Sequence, residues 1–311
     1  MRSGSNDHTA RFEPETPRRL AGAPISWGVC EVPGWGRTLS RDRVLTEMAS
    51  VGLRATELGP LGYLPLEPGP LRELLAAHEL RLVAGFVPLV LHERSIQGAR
   101  QTAEWVAALL AAAGAETFLA AAVMDEEWSA PQSLGPDQWR RLVEHLAVVG
   151  AVVADHGLEL ALHPHQGTLI ETAGQVERLL ASSDTAWCLD SGHLLIGGVD
   201  PADFVRDHGD RVAHVHLKDV DAALAARVRS GGLSLVEATK HGLFRPLGRG
   251  DSGIEEVVQL LDERGYGRWL VLEQDTAITG EEPPVGSGPM LDVKESIAYL
   301  DNLAPNRRRV A

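Results

Sequence analysis

Beyond its first twenty residues the chain alternates short apolar runs with longer stretches whose apolar positions recur at helical period. The runs "APISWG", "ATELG", "RLVAGFVPLV", "TFLAAAV", "LELALHPH", "AWCLDS", "RVAHVHLKD" and "GRWLVLEQD" read as strands. Short, continuous apolar runs rich in β-branched side chains suit strands buried on both faces, as in a parallel sheet. The intervening segments "RDRVLTEMASVG", "PLRELLAAH", "ARQTAEWVAALLAAAG", "PDQWRRLVEHLAVVGAVVADHG", "AGQVERLLASS", "PADFVRDHG" and "GIEEVVQLLDERG" read as helices, with "DVKESIAYLDNL" closing the set. Several end in Gly, which tolerates the left-handed conformation that terminates a helix.

Strand followed by helix, eight times in roughly 280 residues, is the order and size of an α/β (β/α)8 TIM barrel. A doubly wound open sheet normally carries G-x-G-x-x-G after its first strand, and "SWGVCEVPGWG" lacks that spacing. The barrel is assigned to residues 21–303 as a single domain, with disordered tails at 1–20 and 304–311, both rich in charge and in Pro or Gly. One connection breaks the rhythm. Residues 221–247, between the seventh strand and its helix, far exceed the usual two to six residues, and hold helix-like patches "ALAARVRS" and "LVEATKHGLF". On a barrel this insert emerges over the catalytic face, where it is placed to form a lid.

Barrel chemistry gathers where strands end at their C-terminal face, and this chain places polar side chains there repeatedly. Glu57 ends the second strand, His163 and His165 the fifth, Asp190 the sixth, His216 the seventh and Glu273 the eighth. From the fifth to the seventh, each lies about one βα unit after the last; Glu273 follows one unit plus the insert. Residues two apart share a face of a strand, which puts Ala161, Cys188, His214 and Val271 one layer beneath His163, Asp190, His216 and Glu273. Small or apolar groups below and imidazoles and carboxylates above make a floor suited to Mn²⁺, Fe²⁺, Co²⁺ or Zn²⁺. Of His163 and His165, one is expected to bind the ion and the other to meet substrate. Spacing alone leaves the order open.

Composition narrows the activity. The net charge of −14 leaves no broad basic face for nucleic acid. Cys30 and Cys188 are the only cysteines, too few for a disulfide framework or a thiolate zinc cluster. No stretch is long and apolar enough to span a membrane, and "MRSGSNDHTARFEPETPRRL" lacks the apolar centre of a signal peptide. A cytoplasmic enzyme acting on a small molecule is expected, with homo-oligomerisation left open.

The motifs "LALHPHQGTLIET", "CLDSGHLLIGGVDP", "RVAHVHLKDV", "GLFRPLGRGD" and "GYGRWLVLEQD" together resemble the xylose isomerase-like barrel superfamily. Within it the chain is similar to the inosose dehydratases and their relatives among sugar isomerases and epimerases. The resemblance implies one divalent metal, Mn²⁺ or Co²⁺ first and Zn²⁺, Fe²⁺ or Mg²⁺ next, on Asp190, His216 and Glu273. The isomerases and epimerases supply a fourth ligand, Glu, from the fifth strand, where this sequence has His163. That departure, the "GT" after "HPH" and the long insert are similar to the dehydratase branch.

The activity so implied is dehydration of a keto-polyol such as 2-keto-myo-inositol (inosose) through an enolate, in inositol catabolism. Isomerisation or epimerisation with the same metal is the alternative. His165, Lys218 with its pKa lowered by the cation and by burial, or a loosely ligated Glu273 would act as base, and His193 or Lys218 as acid. Glu57, in "TELG", is expected to hydrogen-bond sugar hydroxyls, and Trp27 to offer its ring to the substrate. "GRGDSG" reads either as a phosphate cradle or as a helix cap, and the cap demands less.

Overall fold

A computed structural model describes residues 18–303; residues 1–17 and 304–311, which carry most of the expected tails, lie outside the described residues. Eleven strands run in chain order: β1 (Arg19–Gly22), β2 (Ala55–Thr56), β3 (Arg81–Leu82), β4 (Ala84–Leu89), β5 (Thr117–Ala122), β6 (Glu159–Leu162), β7 (Ala186–Asp190), β8 (Val212–Leu217), β9 (Asp219–Val220), β10 (Phe244–Arg245) and β11 (Trp269–Leu272). Nine of them form one sheet in the order β3-β2-β1-β11-β8-β7-β6-β5-β4, and every pairing in it is parallel. Only Val83 separates β3 from β4. Its N–H donates to Thr56 O, and its carbonyl accepts from Glu116 and Thr117. The sheet therefore closes on itself through one kinked stave, and nine strands make an eight-staved (β/α)8 barrel.

Helices at Arg41–Ser50, Pro68–Ala77, Gln97–Ala113, Pro136–Asp155, Ala173–Ser182, Pro201–His208, Ile254–Glu263 and Pro289–Asn302 occupy the eight places their periodicity predicts. Their apolar stripes meet the outer face of the sheet in one large core that includes Phe118, Leu142, Leu179 and Val257. The barrel interior is filled mainly by small side chains, among them Ala21, Ala55, Ala84, Ala161 and Cys188, with Leu119 and Val271. Among the described residues no helix is long and apolar enough to cross a membrane.

The first strand lies earlier than expected. "APISWG" is not extended: Pro24–Trp27 is a 3-10 turn, as suits a Pro that has no N–H to give a ladder. The strand is Arg19–Gly22, paired with β11 from Arg19↔Trp269 to Gly22↔Leu272, so residues 19 and 20 belong to the barrel and not to a tail. Arg19 concealed it, since its charge merges with "PRR" in sequence. In the fold it sits on the rim, 4.2 Å over the Trp269 ring and paired with Glu116.

The long connection is also ordered. Helices Ala222–Arg229 and Leu235–Lys240 are followed by β10, which pairs antiparallel with β9. A small core of Ile196, Val220, Ala225, Ala238, Leu243 and Phe244 ties them to the barrel mouth.

A further helix, Ser191–Gly197, starts immediately after β7 and was not expected from the sequence. Its last residue packs against the segment that follows β6: a Cβ on Gly197 would lie 2.0 Å from the Glu171 carbonyl oxygen. Gly197→Ala must therefore push backbone apart, at a cost of about 1–3 kcal/mol. It is expected to lower the Tm of the purified protein by several degrees in a thermal melt; an unchanged Tm would show that residues 171–172 yield freely.

Candidate active site

Register places the polar residues at one height. Asp190 pairs directly with His216 across β7 and β8, Val271 of β11 also pairs with His216, and the Glu273 N–H donates to Leu217 O just beyond. His163 extends β6 by one rung, its N–H donating to Ala120 O at 2.8 Å. Asp190 divides its carboxylate between two tasks. Oδ1 caps the helix Ser191–Gly197 by accepting from His193 N at 2.8 Å, which leaves Oδ2 turned into the barrel mouth. Ser191 Oγ accepts from Lys218 N and donates to Lys218 O, locking the two strand ends together. Gly192 leaves room for the Lys218 stem, since a Cβ there would lie 2.6 Å from Lys218 Cγ.

Four side chains converge at that point. His163, Asp190, His216 and Glu273 each offer one ligand atom, all within 4.8 Å of one another. His216 Nδ1 lies 3.0 Å from His163 Nε2, 2.5 Å from Glu273 Oε2 and 3.4 Å from Asp190 Oδ2. Yet Asp190 Oδ2 and Glu273 Oε2, both buried, accept no properly directed hydrogen bond among the described residues. Two acceptor oxygens without donors thus stand within a few ångströms of the two imidazole nitrogens. Donors about 2.0–2.2 Å from a single ion lie at most about 4.4 Å apart, so this nitrogen and oxygen set fits one divalent cation after shifts of a few tenths of an ångström.

Lys218 is the site's intrinsic cation. It is 1% exposed, with Nζ 2.8 Å from Asp275, 3.2 Å from Glu273 and 3.4 Å from Asp190. Burial alone would lower its pKa, but Asp190, Asp275 and Glu273 raise it well above that of an ordinary lysine. Three carboxylates thus outweigh desolvation and hold the ammonium. Burial likewise raises Glu273, and the charges of His216 and Lys218 overcome it, bringing it to about 2. Asp190 is held well below the ordinary carboxylate range against burial, chiefly by the Lys218 charge. Asp275 differs, because burial and repulsion from Glu273 and Asp190 prevail over Lys218 and raise it to about 6.

His163 and Glu273 of the cluster line a cavity of about 450 Å³ at the barrel mouth, with Asp190 and His216 buried beneath. His165, Gln166, Lys218, Glu273 and Asp275 line its base; Ile25, Phe86, Trp128, Leu235 and Val236 are among its apolar walls. Phe86 and Trp128 stack with centroids 6.1 Å apart, and Trp128 holds a left-handed φ of 58° that a bulky residue adopts only when its surroundings impose it. His165 is half-buried. Its Nδ1 lies 2.6 Å from Gln166 O, which fixes the proton there and turns Nε2 to the cavity as an acceptor. Burial, with His163 and Lys218 nearby, lowers its pKa to about 3. His193 packs on it at 3.9 Å between centroids and is likewise held neutral by burial and the neighbouring His165.

One sequence assignment moves. Trp27 does not face the cavity: it is fully buried in the outer core and its indole N–H donates to Glu47, because the 3-10 turn rotates it outward. Glu57 lines the cavity but is only 3% exposed, its Oε1 2.8 Å from both His214 Nε2 and His216 Nε2. Asp275 escaped the sequence reading altogether, although alternation from Glu273 along "LEQD" puts it on the same face. "GRGDSG" does not cap the helix that follows it; its Asp251 Oδ2 accepts instead from Ala222 N at 2.9 Å, at the start of the helix Ala222–Arg229. Gly248, Gly250 and Ser252 donate their N–H groups to the Asp219 carboxylate, and the helix beyond, Ile254–Glu263, follows Gly253 without a side-chain cap.

A family model described as xylose isomerase-like TIM barrel matches residues 45–303. Inosose dehydratase of Geobacillus kaustophilus (strain HTA426) is 30% identical over 301 residues, covering 92% of this chain and 95% of that protein. The rhizopine catabolism protein MocC of Rhizobium meliloti is 29% identical over 295 residues, covering 92% and 88%. Among solved structures, the probable 3-DHS dehydratase AsbF of Bacillus anthracis superposes with a TM-score of 0.66 at 17% identity, covering 92% of this chain and 100% of that one. An L-ribulose 3-epimerase gives a TM-score of 0.66 at 16% identity, covering 91% and 93%; these two likenesses speak to the fold.

The donor set makes a direct prediction. Protein purified in the presence of Mn²⁺ or Co²⁺ and then desalted is expected to retain about one divalent ion per chain by elemental analysis, and Asp190→Ala to retain less than about a tenth of that. A parent protein that keeps no stoichiometric ion would remove the metal from the account.

Proposed function

The chain belongs to the xylose isomerase-like TIM barrel family, and from that membership we propose that it is a metal-dependent dehydratase of a cyclic keto-polyol such as 2-keto-myo-inositol. The observation that carries this reading is the convergence of His163, Asp190, His216 and Glu273 on one point, with His163 and Glu273 of that set lining a cavity beside Lys218 and His165. The resemblance to inosose dehydratases over nearly the whole chain supports it.

His163, Asp190, His216 and Glu273 would hold the cation, Mn²⁺ or Co²⁺ in first place, which when bound supplies Lewis-acid polarisation of the ketone oxygen. His165 presents Nε2 to take the proton from the carbon next to the ketone. The electron pair released forms the new carbon–carbon double bond as the bond to the β-hydroxyl breaks. Lys218, whose Nζ lies 2.8 Å from Asp275, gives that hydroxyl a proton, and water departs. The neutral His193, stacked on His165, keeps its ring in line. Phe86 and Trp128 offer apolar faces to the C–H side of a ring, which favours a cyclic over an open-chain substrate. Proton exchange between carboxylates on opposite sides of the substrate, as in an epimerase, is less well served because the end of β6 carries an imidazole, His163.

Loaded with Mn²⁺ or Co²⁺ and given 2-keto-myo-inositol, the protein is expected to generate the ultraviolet absorbance of a conjugated enone. His165→Ala and Lys218→Met should each lower kcat by about 10²- to 10⁴-fold with KM changed only a few-fold. Turnover without a chromophore would make the enzyme an isomerase or epimerase. Metal-loaded protein inert towards a panel of keto-polyols would end this reading.

A further inference from the structure

Glu57 sits behind the cluster. Its Oε1 accepts from Nε2 of His216 and from Nε2 of His214, each at 2.8 Å, and all three side chains are buried. His216 has two ring nitrogens with different partners: Nε2 meets Glu57, while Nδ1 faces His163, Asp190 and Glu273. A carboxylate on the far nitrogen of a ligating imidazole fixes which nitrogen carries the proton and holds the ring plane. His214, one layer below His216, shares the same oxygen and so anchors the carboxylate against His216. His214 pairs with Cys188, and His216 with Asp190, across β7 and β8, so Glu57 of the second stave bridges two layers of the seventh.

We infer that Glu57 is a positioning residue for the cation: it holds His216 with Nδ1 directed at the metal, and does not itself bind the polyol. This assignment rests on the metal-centre reading above and replaces the sugar contact that sequence resemblance implied for Glu57. It treats Glu57, His214 and His216 as one assembly.

Metal affinity tests it without any substrate. Co²⁺ titrated into metal-stripped parent, Glu57→Gln and His214→Phe proteins, with a chromophoric chelator as competitor, gives Kd; the visible Co²⁺ bands report ligand geometry. Glu57→Gln is expected to raise the Kd by about 10- to 100-fold and to shift the bands. His214→Phe, which leaves the Glu57–His216 contact, should raise it less than Glu57→Gln does. At saturating metal, KM for the keto-polyol should stay within about twofold of the parent, as expected for a group that acts through His216. If Glu57→Gln does not fold, Glu57→Asp, which keeps the charge but draws it back by one methylene, takes its place with the same expectation. Unchanged Co²⁺ affinity and spectrum in a folded Glu57 variant would overturn the assignment, and a raised KM alongside would return Glu57 to the substrate. If the parent itself binds no Co²⁺, it is the metal-centre reading that fails, and the assignment falls with it.

Discussion

Charge is concentrated at the barrel mouth under conditions that water would normally forbid. Glu57, Asp190 and Asp275 are almost fully buried and Glu273 largely so, within reach of His216, His163 and the Lys218 ammonium. Each charge is tolerable only because another of opposite sign stands beside it; removing one partner of such a buried pair typically costs about 3–5 kcal/mol. Closure of the sheet enforces the arrangement. With β7, β8 and β11 as adjacent staves, the residues ending them cannot move apart without breaking the ladder.

That constraint explains the division of labour among the nearby residues. Asp190 spends one oxygen on a helix N-terminus and keeps the other for the cluster, so the same carboxylate orders the backbone and contributes charge. Lys218 is hemmed in by acids and lies 5.2 Å over the Phe244 ring, which ties the 221–247 segment to the floor of the cavity as well as to its wall. The polar base and apolar walls then suit a ligand with one reactive edge and a hydrocarbon face.

Much of this was legible in the sequence, for physical reasons. Strands buried on both faces leave continuous apolar runs, and their polar last residues, His163, Asp190, His216 and Glu273, stand out against them. The eight main helices were equally plain because their apolar stripes repeat at helical period. What escaped depended on contacts between distant parts of the chain. A rim position that tolerates Arg19 concealed β1, and a turn-forming Pro24 carried Trp27 out of the mouth. The helix after Asp190 is too short to show a period. Asp275 shared a face with Glu273, yet its partnership with Lys218 spans β8 and β11 and has no local signature. Glu57 was seen at the right strand end, but its engagement with His214 and His216 depends on which way a buried carboxylate turns.

The turn at "GRGDSG" has a selective effect of its own. Its amides form a pocket of the kind that holds phosphoryl oxygens, and the Asp219 carboxylate already fills it from within. An anion arriving there would meet resident negative charge on a backbone three of whose N–H groups are already committed. The fold thus carries an internal counterfeit of the anion, and this turn is closed to phosphoryl groups.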